Sequence, residues 1–158
     1  MANNPHDIEL PKEFSGHAQF LLYNRYGDPR ECGWENKWIN HWKIQERFPW
    51  FPEKTIKIHK HFQTMLEQAF HELAIYDLFK EIRSFVGCFE VRAMKSNDAL
   101  LSLHAWGAAL DLTSTDNADS SSGIWSPDFL RIMVKNGIYC GQNWIERKDP
   151  MHFAMVNG

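Results

Sequence analysis

The chain lacks several features that would place it in common protein classes. It has only three cysteines among 158 residues, namely Cys32, Cys88 and Cys140. This sparse, odd set argues against a disulfide framework, since at most one bridge could form, and suits synthesis in a reducing compartment. A run of about 18 apolar residues is absent, so we expect no transmembrane span. The first residues contain no basic segment followed by an apolar one, so we expect synthesis in the cytoplasm without a signal peptide.

Excess positive charge is also missing. The chain has 17 Lys and Arg against 20 Asp and Glu, which gives a formal net charge of −3. Affinity for nucleic acid depends on neutralising many phosphates, so we expect no nucleic-acid partner. The sequence gives no oligomeric state, and a monomer is compatible with it.

Large apolar side chains are plentiful. Hydrophobic residues make up 44% of the chain, charged residues 23%, and there are seven Trp and eleven Phe. A chain of this size can bury most of its apolar surface around one core. We therefore expect residues 1–158 to form a single domain without disordered linkers.

The hydrophobic pattern predicts both helices and short strands. Residues 1–54 have no sustained period and are interpreted as irregular structure with short helices. Apolar positions in 55–84 recur every three or four residues, which predicts one long helix or two in succession. Gly87 ends this pattern, and the alternation in 88–92 is typical of a half-buried strand. Residues 108–113 are predicted as a second strand.

The C-terminal part continues the mixture. A polar loop is predicted at 114–123, followed by a helix over 127–136 that is capped by Ser126 and ended by Gly137. The last strands are predicted at 138–140 and 153–156, with a long connection over 141–150. Successive strands without regular crossover helices favour an α+β domain with a small, mainly antiparallel sheet flanked by helices.

His104 and Asp111 form a first candidate pair for chemistry. Gly107 lies between them and permits a tight turn, which would let a histidine in the turn and an aspartate on the next strand meet over one point. For such a pair alone, a capping or core-edge histidine with a surface aspartate is the commoner explanation. The pair needs a second cluster before it indicates a metal.

That cluster is Asp149 and His152, three positions apart around Pro150 and just before a predicted strand. Asp149-Pro150 is also a common turn, and His152 could be a core histidine. Together, however, His104, Asp111 and His152 offer two imidazoles and one carboxylate, a zinc set that leaves one coordination position open. Asp149 would then be free to act as general base toward the attacking water. The sequence therefore predicts a metallohydrolase.

The pattern Ser-x-His-x-x-Gly-x-Ala-x-Asp, followed by an acidic residue, two spacers and His, resembles the zinc D-alanyl-D-alanine peptidases. This family includes the VanX and VanY dipeptidases and carboxypeptidases, and phage endolysins that cut between L-alanine and D-glutamate in peptidoglycan. The resemblance covers roughly residues 87–155. It implies a fold like that of these peptidases and of the Hedgehog signalling domains.

The resemblance also implies roles for individual residues. His104, Asp111 and His152 match the ligands of one catalytic zinc, and Asp149 matches the catalytic base. Many members carry Glu at that position, and Asp looks like the phage endolysin branch. Three further positions match as well: Arg92 with the family's oxyanion-stabilising arginine, Trp144 with a tryptophan that walls the site and contacts the substrate, and Ser102 with the motif serine, which would hydrogen-bond the substrate. A solvated strand position for Arg92, a core position for Trp144 and a loop-fixing role for Ser102 remain open.

The function indicated is hydrolysis of a bond in the peptidoglycan stem peptide, of the L-alanyl-D-glutamate endopeptidase type. An enzyme of this kind would act on the cell wall after release from the cytoplasm. D-alanyl-D-alanine carboxypeptidase or dipeptidase activity is the alternative within the family. A non-catalytic zinc protein of the same fold, or a virion component that assists cell entry, is the alternative of another class.

Other polar groups carry less weight. Asp116, Asn117 and Asp119 in the 114–123 loop could bind a hard cation or the loop could cover a cleft, but a solvated loop is favoured. His59 and His61, two apart on the predicted long helix, would point in different directions. These two histidines, with His41 and His71, are expected to be structural or solvated.

Overall fold

The computed structural model describes residues 4–12, 16–115, 124–142, 144–145 and 148–158. Short 3-10 turns lie at Pro5–Asp7, Ile44–Glu46, Leu78–Glu81 and Leu103–Trp106. The helices and strands of this part of the chain are α1 (His17–Tyr26), α2 (Trp34–Trp38), β1 (Ile39–Trp42), β2 (Ile56–His59), α3 (Lys60–Ile75), β3 (Ile82–Gly87), β4 (Ala109–Ser114), α4 (Pro127–Lys135), β5 (Tyr139–Gly141) and β6 (Asp149–Ala154).

Two antiparallel sheets organise the fold. The larger sheet has the strand order β3-β4-β6-β5, and β1 pairs with β2 in a separate ribbon. This arrangement confirms the predicted α+β class with a small antiparallel sheet flanked by helices. Within the described residues, no helix has the length and apolar character needed to cross a bilayer.

The helical prediction for 55–84 is confirmed only in its middle. Helix α3 buries a stripe that runs from Phe62 to Leu73 at three- and four-residue spacing. Its neighbours are strands, β2 before it and β3 after it. Ile56 and Ile58 are buried on either side of an exposed Lys57, which is the period of two that a strand shows. Because helical spacing dominates the rest of this window, the short alternation of β2 was interpreted as part of the helix.

The predicted strand at 88–92 is wrong, because β3 ends at Gly87 and the chain then leaves the sheet. The backbone N–H of Glu90 bonds to the carbonyl of His104 at 3.0 Å. Ala93 and Leu101 form an isolated antiparallel bridge that closes a short hairpin. The alternation in 88–92 therefore belongs to a segment outside the sheet, and not to a further strand of it.

The C-terminal predictions hold more closely. Helix α4 begins at Pro127 as predicted, with Ser126 Oγ accepting a hydrogen bond from the backbone N–H of Phe129. Strands β4 and β5 lie within one residue of their predicted bounds. Strand β6 begins at Asp149, well before the predicted start at 153. Residues 116–123 of the predicted loop lie outside the described residues.

The core lies between the larger sheet and helices α3 and α4. Phe129 of α4 packs against Phe153 of β6, with ring centroids 5.9 Å apart. Phe51 joins α3 to β3 by packing against both Phe70 and Phe85. These contacts fix α4 against β6 and α3 against β3, the strands on either side of β4 in the sheet.

Candidate active site

The site is built on one cross-strand pair. In the β4·β6 register, Asp111 lies directly opposite His152, so the two side chains share one face of the sheet. His104 comes from the 3-10 turn just ahead of β4. Nε2 of His104 lies 3.2 Å from one carboxylate oxygen of Asp111, and Nδ1 of His152 lies 3.5 Å from the other. One potential ligand atom from each residue falls within 4.8 Å of the others.

Gly107 makes this approach possible. It ends the 3-10 turn with φ +63°, a left-handed conformation that L-residues with a side chain adopt at a cost. A Cβ at this position would lie 2.7 Å from Ile39 Cδ1 and 2.8 Å from the backbone nitrogen of His59. The same backbone nitrogen donates to the carbonyl of Gly107 at 3.0 Å. The turn is therefore pressed against the β1–β2 ribbon, which fixes where His104 enters the site.

Hydrogen bonds set the orientation of His104. Its Nδ1 lies 2.7 Å from the carbonyl oxygen of Cys88, which requires Nδ1 to carry the proton. Nε2 then has its lone pair available for a metal. Ser102 caps the turn, since its Oγ accepts from the backbone N–H of His104 at 3.2 Å. The hydroxyl of Ser102 thus has the loop-fixing contact that the sequence left open.

The electrostatics suit a cation. Burial raises the pKa of Asp111, but His104 and His152 outweigh burial and hold that pKa well below its usual range. Asp111 is therefore an anion at neutral pH. Among the described residues, its Oδ1 and Nε2 of His152 are buried without a hydrogen-bond partner. Buried polar atoms normally find a partner, and the donor set of two imidazoles and a carboxylate fits zinc.

An open cleft of about 350 Å³ lies over these three residues. Its lining brings together every residue predicted for the zinc site and its substrate: Arg92, Ser102, His104, Asp111, Trp144, Asp149 and His152.

Asp149 reaches the cleft because β6 is irregular. Residues three apart on a regular strand point to opposite faces, which would separate Asp149 from His152. Here the adjacent residues Cys140 and Gly141 of β5 pair with Phe153 and Asp149, so β6 has extra residues between its pairing points. A bulge of this kind redirects side chains. Asp149 is exposed at the first position of β6 and lines the same cleft as His152.

Arg92 and Trp144 form parts of the cleft wall. The Nε of Arg92 donates to Glu90 at 3.2 Å, and its Nη1 donates to the carbonyl of Ala93 at 3.1 Å. The indole of Trp144 packs against His152 with ring centroids 5.5 Å apart. Both side chains are partly exposed. The alternative that Arg92 is a solvated residue of a strand is wrong about the strand, because Arg92 lies beyond the end of β3.

Several residues at the site escaped sequence reasoning. Cys88 acts through its backbone carbonyl, which no residue type can signal. Lys95 and Lys148 line the cleft but follow no motif.

The remaining histidines lie elsewhere. His59 is the last residue of β2, not a residue of the long helix as predicted, and it is fully buried. His61 lies in the first turn of α3, while His41 and His71 are exposed. The predicted cation ligands Asp116, Asn117 and Asp119 fall outside the described residues.

The α+β fold gathers two histidines and a carboxylate that could hold a metal ion beneath an open cleft. Comparison with protein families agrees: residues 95–155 match a family described as D-alanyl-D-alanine carboxypeptidase. The matched segment includes the three candidate metal ligands and Asp149, whereas Arg92 lies just before it. The match supports a peptidase of the D-alanyl-D-alanine carboxypeptidase type. Comparison with curated proteins gave no match.

Proposed function

We propose that the protein is a zinc-dependent peptidoglycan peptidase that hydrolyses the L-alanyl-D-glutamate bond of the stem peptide, in the manner of phage endolysins. The observation that carries this proposal is the Asp111–His152 pair, which lies with His104 beneath an open cleft. Two imidazoles and a carboxylate form the protein part of a catalytic zinc site that keeps one position open. A purely structural zinc would have four protein ligands.

His104, Asp111 and His152 would hold the metal. Zinc bound there would supply Lewis-acid polarisation of the scissile carbonyl and a lower pKa for the attacking water. Asp149 lines the same cleft without a charged partner among the described residues, so its carboxylate is available to take the proton from that water and pass it to the leaving amine.

Arg92 stabilises the negative charge that develops on the carbonyl oxygen. Its guanidinium has five N–H donors, and the contacts to Glu90 and Ala93 use only two of its nitrogens. Arg92 lines the cleft in which an oxyanion would form, so its remaining donors are available to that charge. Trp144 packs on His152 and limits the space beside it, which orients the substrate and the ligand together.

D-alanyl-D-alanine carboxypeptidase activity is the second candidate, and the description of the matched family favours it. Either substrate lies in the cell wall, so we propose that the protein acts there after synthesis in the cytoplasm. The two activities differ only in the bond that is cut.

Digestion of purified peptidoglycan tests both candidates. The protein is incubated with the polymer in the presence or absence of a chelator, and the new termini are identified by mass spectrometry. Fragments ending in L-alanine and beginning with D-glutamate are expected, whereas released D-alanine would favour the carboxypeptidase. No chelator-sensitive product at all would contradict both and favour a non-catalytic zinc protein or virion component.

Variants separate the roles of the site residues. His104→Ala should lose stoichiometric zinc because one of three ligands is gone. Asp149→Ala should retain zinc and lose at least about 100-fold in kcat, the contribution typical of a general base. Zinc content by atomic emission and kcat on the same preparations check both. Full activity of the Asp149 variant would show that another group accepts the proton.

A further inference from the structure

The cleft differs in charge from the rest of the molecule. The whole chain has a net charge of −3. The cleft lining nevertheless contains three cationic side chains, Arg92, Lys95 and Lys148, against the carboxylates of Asp111 and Asp149. Asp111 is occupied by its two histidines, and Arg92 is paired with Glu90. The net charge of the cleft lining therefore depends on the two lysines.

Lys95 and Lys148 are exposed, and neither forms an ion pair with any part of the chain that the structure describes. Lys57, Lys80 and Lys135 have carboxylate partners, whereas Lys95 and Lys148 are distinguished by their place in the cleft lining. An unpaired ammonium at the mouth of a cleft favours an anionic ligand, because low-dielectric walls focus its field.

The two lysines belong to different segments of the cleft lining. Lys95 follows the chain that leaves β3, and Lys148 immediately precedes β6. In the sheet order β3-β4-β6-β5, β3 and β6 flank β4, the strand that carries Asp111. A peptide bound over His104, Asp111 and His152 would therefore lie in the same cleft as lysines from two segments of the chain.

The backbone beneath Lys95 is held in place. Gln19 is buried and its amide donates to the carbonyl of Leu101 at 3.0 Å and contacts the sulfur of Met94 at 3.1 Å. The backbone N–H of Met94 bonds to the carbonyl of Leu100 at 2.9 Å. Helix α1 thus fixes the base of the hairpin that presents Lys95, which lowers the entropy lost when its ammonium binds a ligand.

We propose that Lys95 and Lys148 bind a free carboxylate of the substrate beside the scissile bond, so that the site selects acidic peptides over their carboxamide counterparts. This inference rests on the proposed function, since it assigns a specificity to the same cleft. An ammonium donates charge-assisted hydrogen bonds to a carboxylate but has no comparable interaction with a carboxamide.

Binding of a matched pair of non-hydrolysable peptides tests the proposal. Both are L-alanyl-D-glutamyl peptides with an N-methylated scissile amide, and they differ only in whether the free carboxylate of the glutamyl residue is present or replaced by a carboxamide. Dissociation constants are measured by calorimetry with the zinc-loaded full chain and with Lys95→Gln, Lys148→Gln and the double variant. Lys43→Gln, which removes the same charge from an exposed position outside the cleft lining, is the control.

Each cleft variant should weaken binding of the carboxylate peptide by about three- to tenfold and leave the carboxamide peptide unchanged. The control should change neither. Equal affinity of the unaltered protein for the two peptides, or a preference that survives in the double variant, would overturn the proposal. A carboxylate preference in a protein that cleaves no peptidoglycan would sustain the proposal while rejecting the proposed reaction.

Discussion

At the scale of single residues, the backbone conformation of Gly107 determines where the candidate metal ligand His104 lies. Its positive φ and the absence of a side chain let the His104 turn lie against the β1–β2 ribbon. Gly33 also has a positive φ, of +84°, but nothing lies within 4 Å of where its Cβ would stand. Substitution of each glycine by alanine therefore distinguishes the free-energy cost of a left-handed backbone conformation from the cost of a steric clash.

Gly33→Ala should lower the free energy of unfolding by about 1 kcal/mol, the cost of the left-handed region for a residue with a Cβ. Gly107→Ala should lower it by about 3 kcal/mol or more, because the new methyl also meets the backbone nitrogen of His59. Urea denaturation of both variants measures the difference. Equal losses would mean that the turn can shift without cost.

His59 is a second residue whose environment has a measurable result. Its ring is fully buried between Tyr26 and Trp38, and its Nδ1 accepts from the backbone N–H of His61, so it caps α3. Burial, with the nearby charges of His61 and Lys60, lowers the pKa of His59 to about 3. The imidazole is therefore neutral in the folded protein at any pH where the unfolded chain would begin to protonate it.

This depressed pKa predicts a loss of stability in mild acid. Below the unfolded pKa of 6.5, the His59 imidazole is protonated in the unfolded state. In the folded state it stays neutral down to about pH 3. Over that window His59 should lower the free energy of unfolding by up to about 1.4 kcal/mol for each pH unit. Denaturation of the His59→Asn variant, whose side chain can still cap the helix, should show a shallower pH slope.

His71→Asn is the matched control, since His71 is exposed on the same helix. It should leave the pH slope as it is. An identical slope in all three proteins would show that His59 takes up its proton in the folded state.

The structure brings the predicted site residues together around one cleft, and the spacing of their chemical groups in the sequence is what singled them out. A histidine, glycine and aspartate in one motif, with an aspartate and histidine in a second, leave few arrangements other than a shared metal. His59 and the cleft lysines gave no such signal, because an isolated histidine or lysine has the same local pattern at a functional position and at any other. Their importance depends on neighbours that are distant in the chain.

At the scale of elements, the predictions succeed where the ends of an element are chemically marked. Helix α4 was located by the Ser-Pro-Asp start and the glycine that follows its end, both of which act locally. Strand β1 was missed, and β2 and β3 were merged with α3, because their ends depend on pairing with distant strands. Tertiary pairing overrides the local period in such short segments.

The cap of α4 gives a prediction at this scale. Ser126 Oγ accepts from Phe129 N–H at 3.2 Å and donates to Glu81 at 2.6 Å, and Glu81 also accepts from the backbone N–H of Ser126 at 2.8 Å. Ser126→Ala should lower the free energy of unfolding by about 1 to 2 kcal/mol.

A double-mutant cycle with Glu81→Ala checks that the two residues act together. The combined loss should be smaller than the sum of the single losses by about 0.5 kcal/mol or more, since each variant removes the shared hydrogen bond. Strict additivity would mean that Ser126 caps the helix without help from Glu81.

At the scale of the whole molecule, the candidate ligands tie together the turn before β4, β4 itself and β6. A metal that binds only this folded arrangement stabilises the entire chain. Zinc at roughly 100 times its dissociation constant should raise the free energy of unfolding by about 2.7 kcal/mol. Thermal unfolding with zinc and with a chelator measures this increment.

His104→Ala should abolish the zinc-dependent shift in Tm, while His71→Ala, on the exposed face of α3, should retain it. A shift of equal size in both variants would place the metal elsewhere on the chain.

The position of the Asp111–His152 pair also bears on the order of folding. The two residues belong to strands that are neighbours in the sheet but are separated along the chain by α4 and β5. Closing so long a loop is slow, and local elements form first. We therefore expect the metal site to form after the local elements, and tight zinc binding during refolding should report the moment at which β4 and β6 pair.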